Sequence, residues 1–163
     1  MIEIRVEDEA VRAALQQLSA RLIDMTPAMQ EIGEALMTST KDRMLAGRTP
    51  EGAPFAPRSQ TTLDRYASGR PPVRPRGGPL NRYGNLISGI FPSSGSDFAS
   101  IGSNAIQAAV MQFGQAQGAS GRTSRGGLIP WGNIPARPYL GISAEDRTAI
   151  TEIVEEWLER AAQ

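Results

Sequence analysis

Ile134-Pro-Ala-Arg-Pro-Tyr-Leu-Gly-Ile-Ser143 is the stretch around which the rest of the chain can be organised. Each proline fixes its own φ and pushes the preceding residue out of the helical region, so the stretch predicts an extended segment. Arg137 stands between two of these prolines in a rigid frame. Ser143 is a good N-cap, and with Asp146 three residues later it approximates a capping box. A helix is therefore predicted from this point towards the C-terminus.

Short apolar segments upstream of this block predict a β-hairpin. We expect a helical turn around residues 81–85, a strand near Ile87–Phe91, a turn over Pro92–Asp97 and a returning strand at Phe98–Ser103. A further apolar segment, residues 109–114, ends at a glycine. A glycine-rich stretch then separates this segment from the proline-containing block.

The N-terminal part of the chain predicts a strand and two helices. Apolar and charged residues alternate over Ile2–Val6, which is the period of a strand with one buried face. Asp8 is placed to cap a helix with apolar positions at helical spacing, namely Val11, Leu15, Leu18 and Leu22. Thr26-Pro27 marks the start of a second helix that reaches Gly47.

The predicted C-terminal helix has an apolar and an acidic face. The apolar face is made of Ile150, Ile153, Val154, Trp157 and Leu158, and we expect Trp157 to lie in the core. The acidic face is either a solvated surface or a surface that receives the basic loops of a neighbouring subunit. The elements together predict an α+β fold in one domain, residues 1–163. It has two N-terminal helices, a small antiparallel sheet, long basic loops and a C-terminal helix packed on the sheet.

Two loop-rich segments, residues 47–79 and 115–133, interrupt the apolar periodicity. The first holds six arginines against two acidic residues, and a short helix is expected within it at Thr61–Tyr66. The second is basic over 115–127, without an acidic residue. Because these segments are rich in glycine and proline, we expect both to be flexible in the free subunit and to order on assembly.

The composition argues against an enzyme. The chain has no histidine and no cysteine, which removes the commonest general base, the thiol nucleophile and the cysteine ligands of metals. We therefore expect no catalytic residues, no metal and no cofactor. The formal net charge is zero, and no apolar run approaches the roughly 18 residues that a membrane span needs. A membrane partner is not expected.

Three motifs together carry a resemblance to a known family: Gly102-Ser-Asn104, Met111-Gln-Phe-Gly114 and Ile134-Pro-Ala-Arg-Pro-Tyr-Leu-Gly141. With them, the chain from about Pro50 to Ile153 resembles the phage virion morphogenesis family, the tail-completion proteins of contractile-tailed phages. The Pro-Ala-Arg-Pro-aromatic-Leu-Gly block is its most specific part. In the family pattern a histidine precedes Gln-Phe-Gly, whereas this chain has Met111. This departure argues against a catalytic or metal-binding role for the position.

The resemblance implies a non-enzymatic structural protein of a phage or prophage particle. Such a protein completes the head-proximal end of the tail and prepares head–tail joining. It would form a ring, a hexamer by resemblance, and would contact tail-tube and head-connector proteins. Its location would be the tail or neck region of the virion, and the host cytoplasm during assembly.

Ten residues are candidates for contacts with other subunits or partners: Arg137, Tyr139, Trp131, Phe113, Arg65, Arg70, Arg74, Arg76, Arg122 and Arg125. Trp131 lies in a loop and is expected to be buried against a partner. Arg137 either contacts another subunit, which we favour, or pairs with a helix acid inside the chain. The alternative function is a DNA-binding accessory protein, because arginines interleaved with tyrosines can neutralise phosphates and stack bases. Nucleic acid is therefore a secondary candidate partner.

Overall fold

The computed structural model describes residues 9–69, 78–81 and 83–162. Their regular structure is, in chain order, α1 (Glu9–Ile23), α2 (Thr26–Ala46), α3 (Gln60–Ser68), α4 (Asn85–Ser88), β1 (Ile90–Ser94), β2 (Ala99–Ser103), α5 (Ala108–Phe113) and α6 (Ala144–Ala162). This is the predicted α+β class. The strand predicted at Ile2–Val6 lies outside the described residues, and so do Arg70, Arg74 and Arg76. None of the helices in the described ranges is long and apolar enough to cross a membrane.

Helix α2 is the central element, because the sheet packs against it and α6 packs against it as well. Its buried positions recur at helical spacing, and they are Ala28, Ile32, Gly33, Leu36, Thr40 and Met44. Gly33 allows the sheet to approach closely, since a Cβ built there would lie 3.1 Å from Cβ of Pro92 in β1. The helix ends as predicted at Gly47, which adopts the left-handed conformation typical of a C-terminal glycine.

The predicted hairpin is confirmed. Strands β1 and β2 pair antiparallel, with Ile90 opposite Ser103 and Ser94 opposite Ala99. The strand begins at Ile90 rather than Ile87, because residues 85–88 form the helical turn α4 and Gly89 follows as its C-cap. The core cluster beside the hairpin joins residues from distant parts of the chain, namely Met44, Phe55, Leu80, Leu86, Ile90 and Tyr139.

Helix α6 packs against α2 and α1, whereas the sequence predicted that it would pack on the sheet. The ion pair of Arg43 in α2 with Asp146 in the first turn of α6 holds α6 on the helices rather than on the sheet. The predicted capping box is present: the Ser143 backbone N–H donates to Asp146 Oδ2 at 2.8 Å, and the Asp146 N–H donates to Ser143 Oγ at 3.1 Å. Trp157 is buried, as predicted.

The segment after α2 was predicted to be a flexible loop, but its first part is fixed by backbone hydrogen bonds. The Phe55 N–H donates to the Gly47 carbonyl at 2.8 Å, and the Thr49 N–H donates to the Ala53 carbonyl at 2.8 Å. These bonds fold the segment back, so that the Phe55 ring enters the core. The predicted short helix is present as α3, which begins after Ser59, whose Oγ accepts from the Thr62 N–H at 3.3 Å.

Candidate partner interface

Gln112, at the end of α5, joins two of the sequence motifs. Its Oε1 accepts from the N–H groups of Tyr139 and Leu140, at 2.9 and 3.0 Å, and its Nε2 donates to the Leu140 carbonyl at 3.0 Å. The Arg137 N–H adds a bond to the Met111 carbonyl at 2.8 Å. Because prolines keep this stretch extended, its backbone groups are free to bond to α5. The two motifs therefore form one fixed frame.

Gly114 ends α5 with φ of 73° and ψ of 176°. Residues other than glycine rarely adopt this backbone conformation. A Cβ here would lie 2.7 Å from both the Ala136 nitrogen and the Ile134 oxygen. The next residue, Gln115, exchanges both backbone hydrogen bonds with Ile134, each at 2.8 Å. The chain therefore leaves the frame after Gly114 and returns to it at Ile134.

Residues 115–134 form a projecting hairpin, here called the arm. It was predicted to be a flexible loop, but its two sides are joined by backbone hydrogen bonds. Among them are Ser120 N–H to the Ile129 carbonyl at 2.8 Å and Thr123 N–H to the Gly127 carbonyl at 2.7 Å. No residue of the arm is buried. The sequence lacked strand alternation here because neither face of the arm packs on the core.

Arg137 is buried, with 7% of its surface exposed. Its Nε donates to the Ala56 carbonyl at 2.7 Å and its Nη2 to the Pro57 carbonyl at 2.8 Å. Burial lowers the pKa of the guanidinium, and the nearby charge of Arg58 lowers that pKa further. From the sequence, Arg137 was expected to contact another subunit or to pair with a helix acid. The geometry instead gives Arg137 an internal role, in which it fixes the segment that leads into α3.

Tyr139 is fully buried. Its hydroxyl donates to the Ala108 carbonyl at 3.5 Å. Burial raises the pKa of this hydroxyl, and a hydrogen bond with Ser103 acts in the opposite direction. Within one subunit Tyr139 therefore belongs to the core rather than to an accessible contact surface.

The other described candidates lie at the surface. Trp131 is 67% exposed and Phe113 is 79% exposed. The guanidinium carbon of Arg65 lies 5.0 Å from the centre of the Trp131 ring, a cation–π geometry that brings α3 against the arm. Arg122 and Arg125 are exposed at the arm tip. The structure thus brings Arg65 and Trp131 together and leaves an aromatic and basic surface accessible.

A cleft between α2 and α6, here called the acidic cleft, was not predicted. It has a volume of about 700 Å³, its floor includes Ala35 and Ile153, and its carboxylates are Glu31, Glu34, Asp42 and Glu145. Glu31, Glu34, Thr38 and Asp42 recur every three or four residues along α2. An acidic face of α2 could therefore have been predicted from the sequence. The sequence of neither helix alone indicates that α6 forms the other wall of the cleft.

One ion pair involves Arg43, which lines this cleft. Arg43 Nη1 donates to Asp146 Oδ2 at 2.7 Å, and its Nη2 donates to the Gly141 carbonyl at 3.0 Å. Burial opposes ionisation of Asp146, but hydrogen bonds from Ser39 and Ser143 and the charge of Arg43 outweigh it. The pKa of Asp146 is therefore lowered. This contact fixes the N-terminus of α6 to α2.

The described residues thus form one fixed frame, the arm and the acidic cleft. Within the described ranges, no group of three or more acidic, histidine or cysteine side chains is placed to hold a metal ion. A profile of the phage virion morphogenesis family matches residues 6–159. This chain belongs to the phage virion morphogenesis family.

Two known proteins are similar to this chain over most of its length. The Mu-like prophage FluMu G protein 2 of Haemophilus influenzae is 24% identical over 160 residues, which cover 98% of this chain and 97% of the relative. Tail completion protein S of Escherichia phage P2 is 31% identical over 138 residues, which cover 80% and 81% of the two chains. No solved structure gives a significant match.

Proposed function

We propose that this protein is a non-enzymatic structural component of a phage tail, which completes the head-proximal end of the tail and prepares it for joining to the head. Family membership over residues 6–159 is the observation that carries this proposal. The similarity to a tail completion protein over four fifths of both chains supports it.

In this proposal the protein acts by assembling with other subunits and presenting contact surfaces, and it catalyses no reaction. The subunits form a ring, a hexamer by resemblance to the family, that caps the tail tube and offers a face to the head connector. The frame made by Gln112 and the Pro135–Gly141 block holds the arm in a defined position. Exposed Trp131 and Phe113 supply large apolar surface for contacts, and aromatic residues are frequent anchors of protein interfaces.

Disruption of the gene in its own phage or prophage tests this function. We expect electron micrographs of the lysate to show unjoined heads beside tails with unfinished ends or abnormal length. The protein supplied in trans should restore complete particles, and antibody labelling should then place it in the tail or neck. Normal particles in the absence of the protein would contradict the proposal.

A second candidate function, a DNA-binding accessory role, is supported by the arm. Arg122, Arg125 and Trp131 are all exposed on one hairpin, and arginines and aromatic side chains can neutralise phosphates and stack bases. Fluorescence anisotropy with a labelled oligonucleotide over a salt series tests it. DNA binding that weakens with salt, and that is lost in Arg122→Glu/Arg125→Glu, would support this role. Absence of binding at low salt would reject it.

A further inference from the structure

We infer that the arm of one copy of this protein docks into the acidic cleft of a neighbouring copy. This inference rests on the proposed ring and deepens it by naming the contact that joins one subunit to the next. The ligand of the cleft is thus a second copy of this chain, presented as a basic hairpin with an exposed tryptophan.

The acidic cleft is open and carries more acid than base. Arg43, the cation among its lining residues, is already paired with Asp146 at 2.7 Å. Glu31 is 3.5 Å from Arg160, and both side chains are well exposed, so this contact leaves the cleft accessible. Glu34, Asp42 and Glu145 are exposed around a floor that includes Ala35 and Ile153. Such a site suits a ligand that combines cations with apolar surface.

A second observation comes from the adjoining cavity. It has a volume of about 350 Å³ and shares Arg43 and Glu145 with the cleft. Thr49 lines it and is only 8% exposed, yet its hydroxyl oxygen has no hydrogen-bond partner within the described structure. A buried hydroxyl without a partner is costly.

The arm has the complementary properties. Between residues 115 and 134 it contains Arg122 and Arg125 and no aspartate or glutamate. Its backbone is paired internally, so it is presented in a fixed shape and docking orders little additional chain. Arginine forms planar, bidentate pairs with carboxylates. Trp131 adds exposed apolar surface on the same hairpin.

The complementary surfaces occupy different parts of one subunit. None of the described residues lining the acidic cleft belongs to the arm, so the arm does not fill the cleft of its own subunit. A contact between two different surfaces of identical subunits is heterologous, and it closes into a ring when the rotation between subunits permits. Zero net charge combined with this local segregation favours self-assembly over a nucleic-acid partner, which the acidic cleft would repel.

A charge swap tests the contact. The arm variant is Arg122→Glu/Arg125→Glu, and the cleft variant is Glu34→Lys/Asp42→Lys. Each variant alone places like charges opposite each other, so self-association measured by sedimentation velocity should weaken more than about tenfold. In an equimolar mixture, the arm of either variant finds a cleft of opposite charge on the other variant, so association of alternating subunits should be restored. Matching circular dichroism melts would show that both variants fold.

The matched control is Glu155→Lys/Glu159→Lys, which makes the same charge change on exposed positions of α6 outside the cleft. We expect it to associate like the unmodified protein. Unchanged association of either test variant would overturn the inference. Failure of the mixture to recover would overturn it as well, and would indicate that arm and cleft contact different partners.

Cysteine cross-linking tests the same contact without relying on stable rings in solution. The chain has no cysteine, so Ser124→Cys in the arm and Thr38→Cys in the cleft each introduce a single thiol. Mild oxidation of the mixed variants at high concentration should yield the disulfide-linked heterodimer, and Ser93→Cys should not replace Thr38→Cys. Equal cross-linking with Ser93→Cys, or none with Thr38→Cys, would overturn the contact.

Complementation separates this inference from the proposed function. Both charge variants should fail to complete tails singly and should succeed when they are expressed together. If each variant alone restores normal particles to a lysate that lacks the gene, the arm–cleft contact is rejected while the role in tail completion stands. If the lysate without the gene already contains normal particles, the proposed function itself fails.

Discussion

Arg137 and Gln112 show how side chains can organise a backbone that has no regular structure. The prolines of the 134–143 stretch prevent it from joining a helix, so its N–H and carbonyl groups need other partners. Gln112 satisfies three of them, and Arg137 satisfies two carbonyls of the segment before α3. Arg137, which the sequence offered as a candidate contact residue, therefore acts first on its own chain.

Arg137→Lys should lower thermal stability. A lysine ammonium cannot reach both the Ala56 and Pro57 carbonyls with the fixed geometry of the guanidinium, so one buried acceptor loses its bond. We expect a loss of about 1–3 kcal/mol in the free energy of unfolding, measured by circular dichroism melts. Sedimentation of the folded variant should be normal. An unchanged melt combined with weaker association would instead place Arg137 in a subunit contact.

Asp146→Asn should reduce the acid sensitivity of the fold. The folded-state pKa of Asp146 lies below its ordinary value of 3.8, so its ionised form stabilises the protein at pH values above that. This contribution is lost as pH falls through the folded-state pKa. The variant should melt lower than the unmodified protein near neutral pH, and the difference should narrow below about pH 4. A difference independent of pH would show that the charge of Asp146 is not responsible.

At the scale of elements, what the sequence could predict depended on whether a segment packs against the core. Helices α1, α2, α3 and α6 and the β-hairpin were predicted because their apolar periods and caps are local signals. The arm has no such period, since both of its faces meet solvent. The hydrogen bond that the Tyr139 N–H donates to Gln112 joins residues 27 positions apart. No local sequence pattern indicates a contact at that separation along the chain.

Packing between distant parts of the chain also decided which features of the candidate site could be predicted. Trp131 and Arg65 were proposed separately, and the structure brings them together. Tyr139 was proposed as a contact residue, but its side chain is fully buried within the subunit. The acidic cleft was missed because its walls come from helices about a hundred residues apart, and their packing sets its position.

Gly114→Ala should destabilise the base of the arm. The substitution forces a side chain into a conformation that costs about 1–3 kcal/mol, and its Cβ would meet backbone atoms at 2.7 Å. Gly132→Ala is the matched control, because no atom lies within 4 Å of a Cβ built there. Thermal melts should show a clear loss for the first variant and little change for the second. Equal melting temperatures would contradict the close packing of Gly114 on the 134–136 backbone.

At the scale of the whole molecule, charge is balanced in total and separated in space. The chain has 17 basic and 17 acidic residues. The described arm is basic, whereas the cleft between α2 and α6 is acidic. A molecule of this kind has little overall attraction for a charged polymer, but it can attract copies of itself in one orientation.

Salt should therefore weaken association more than it weakens the fold. Raising NaCl from about 0.05 M to about 0.5 M shortens the screening length severalfold, which acts mainly on exposed charges. We expect sedimentation velocity to show dissociation over this range, while the melting temperature changes little. Association that strengthens with salt would indicate an interface dominated by apolar contacts, such as Phe113.

The paired backbone bonds between Gln115 and Ile134 place the two ends of the arm side by side. The arm is therefore an insertion that leaves and re-enters the frame at one place, and Trp131 adds a second contact, with Arg65 of α3. The part of the arm beyond Trp131 can change in length and composition without altering the pairing of β1 with β2. An arm of different sequence could be grafted between Gln115 and Ile134, so that the choice of neighbour evolves or is engineered independently of folding.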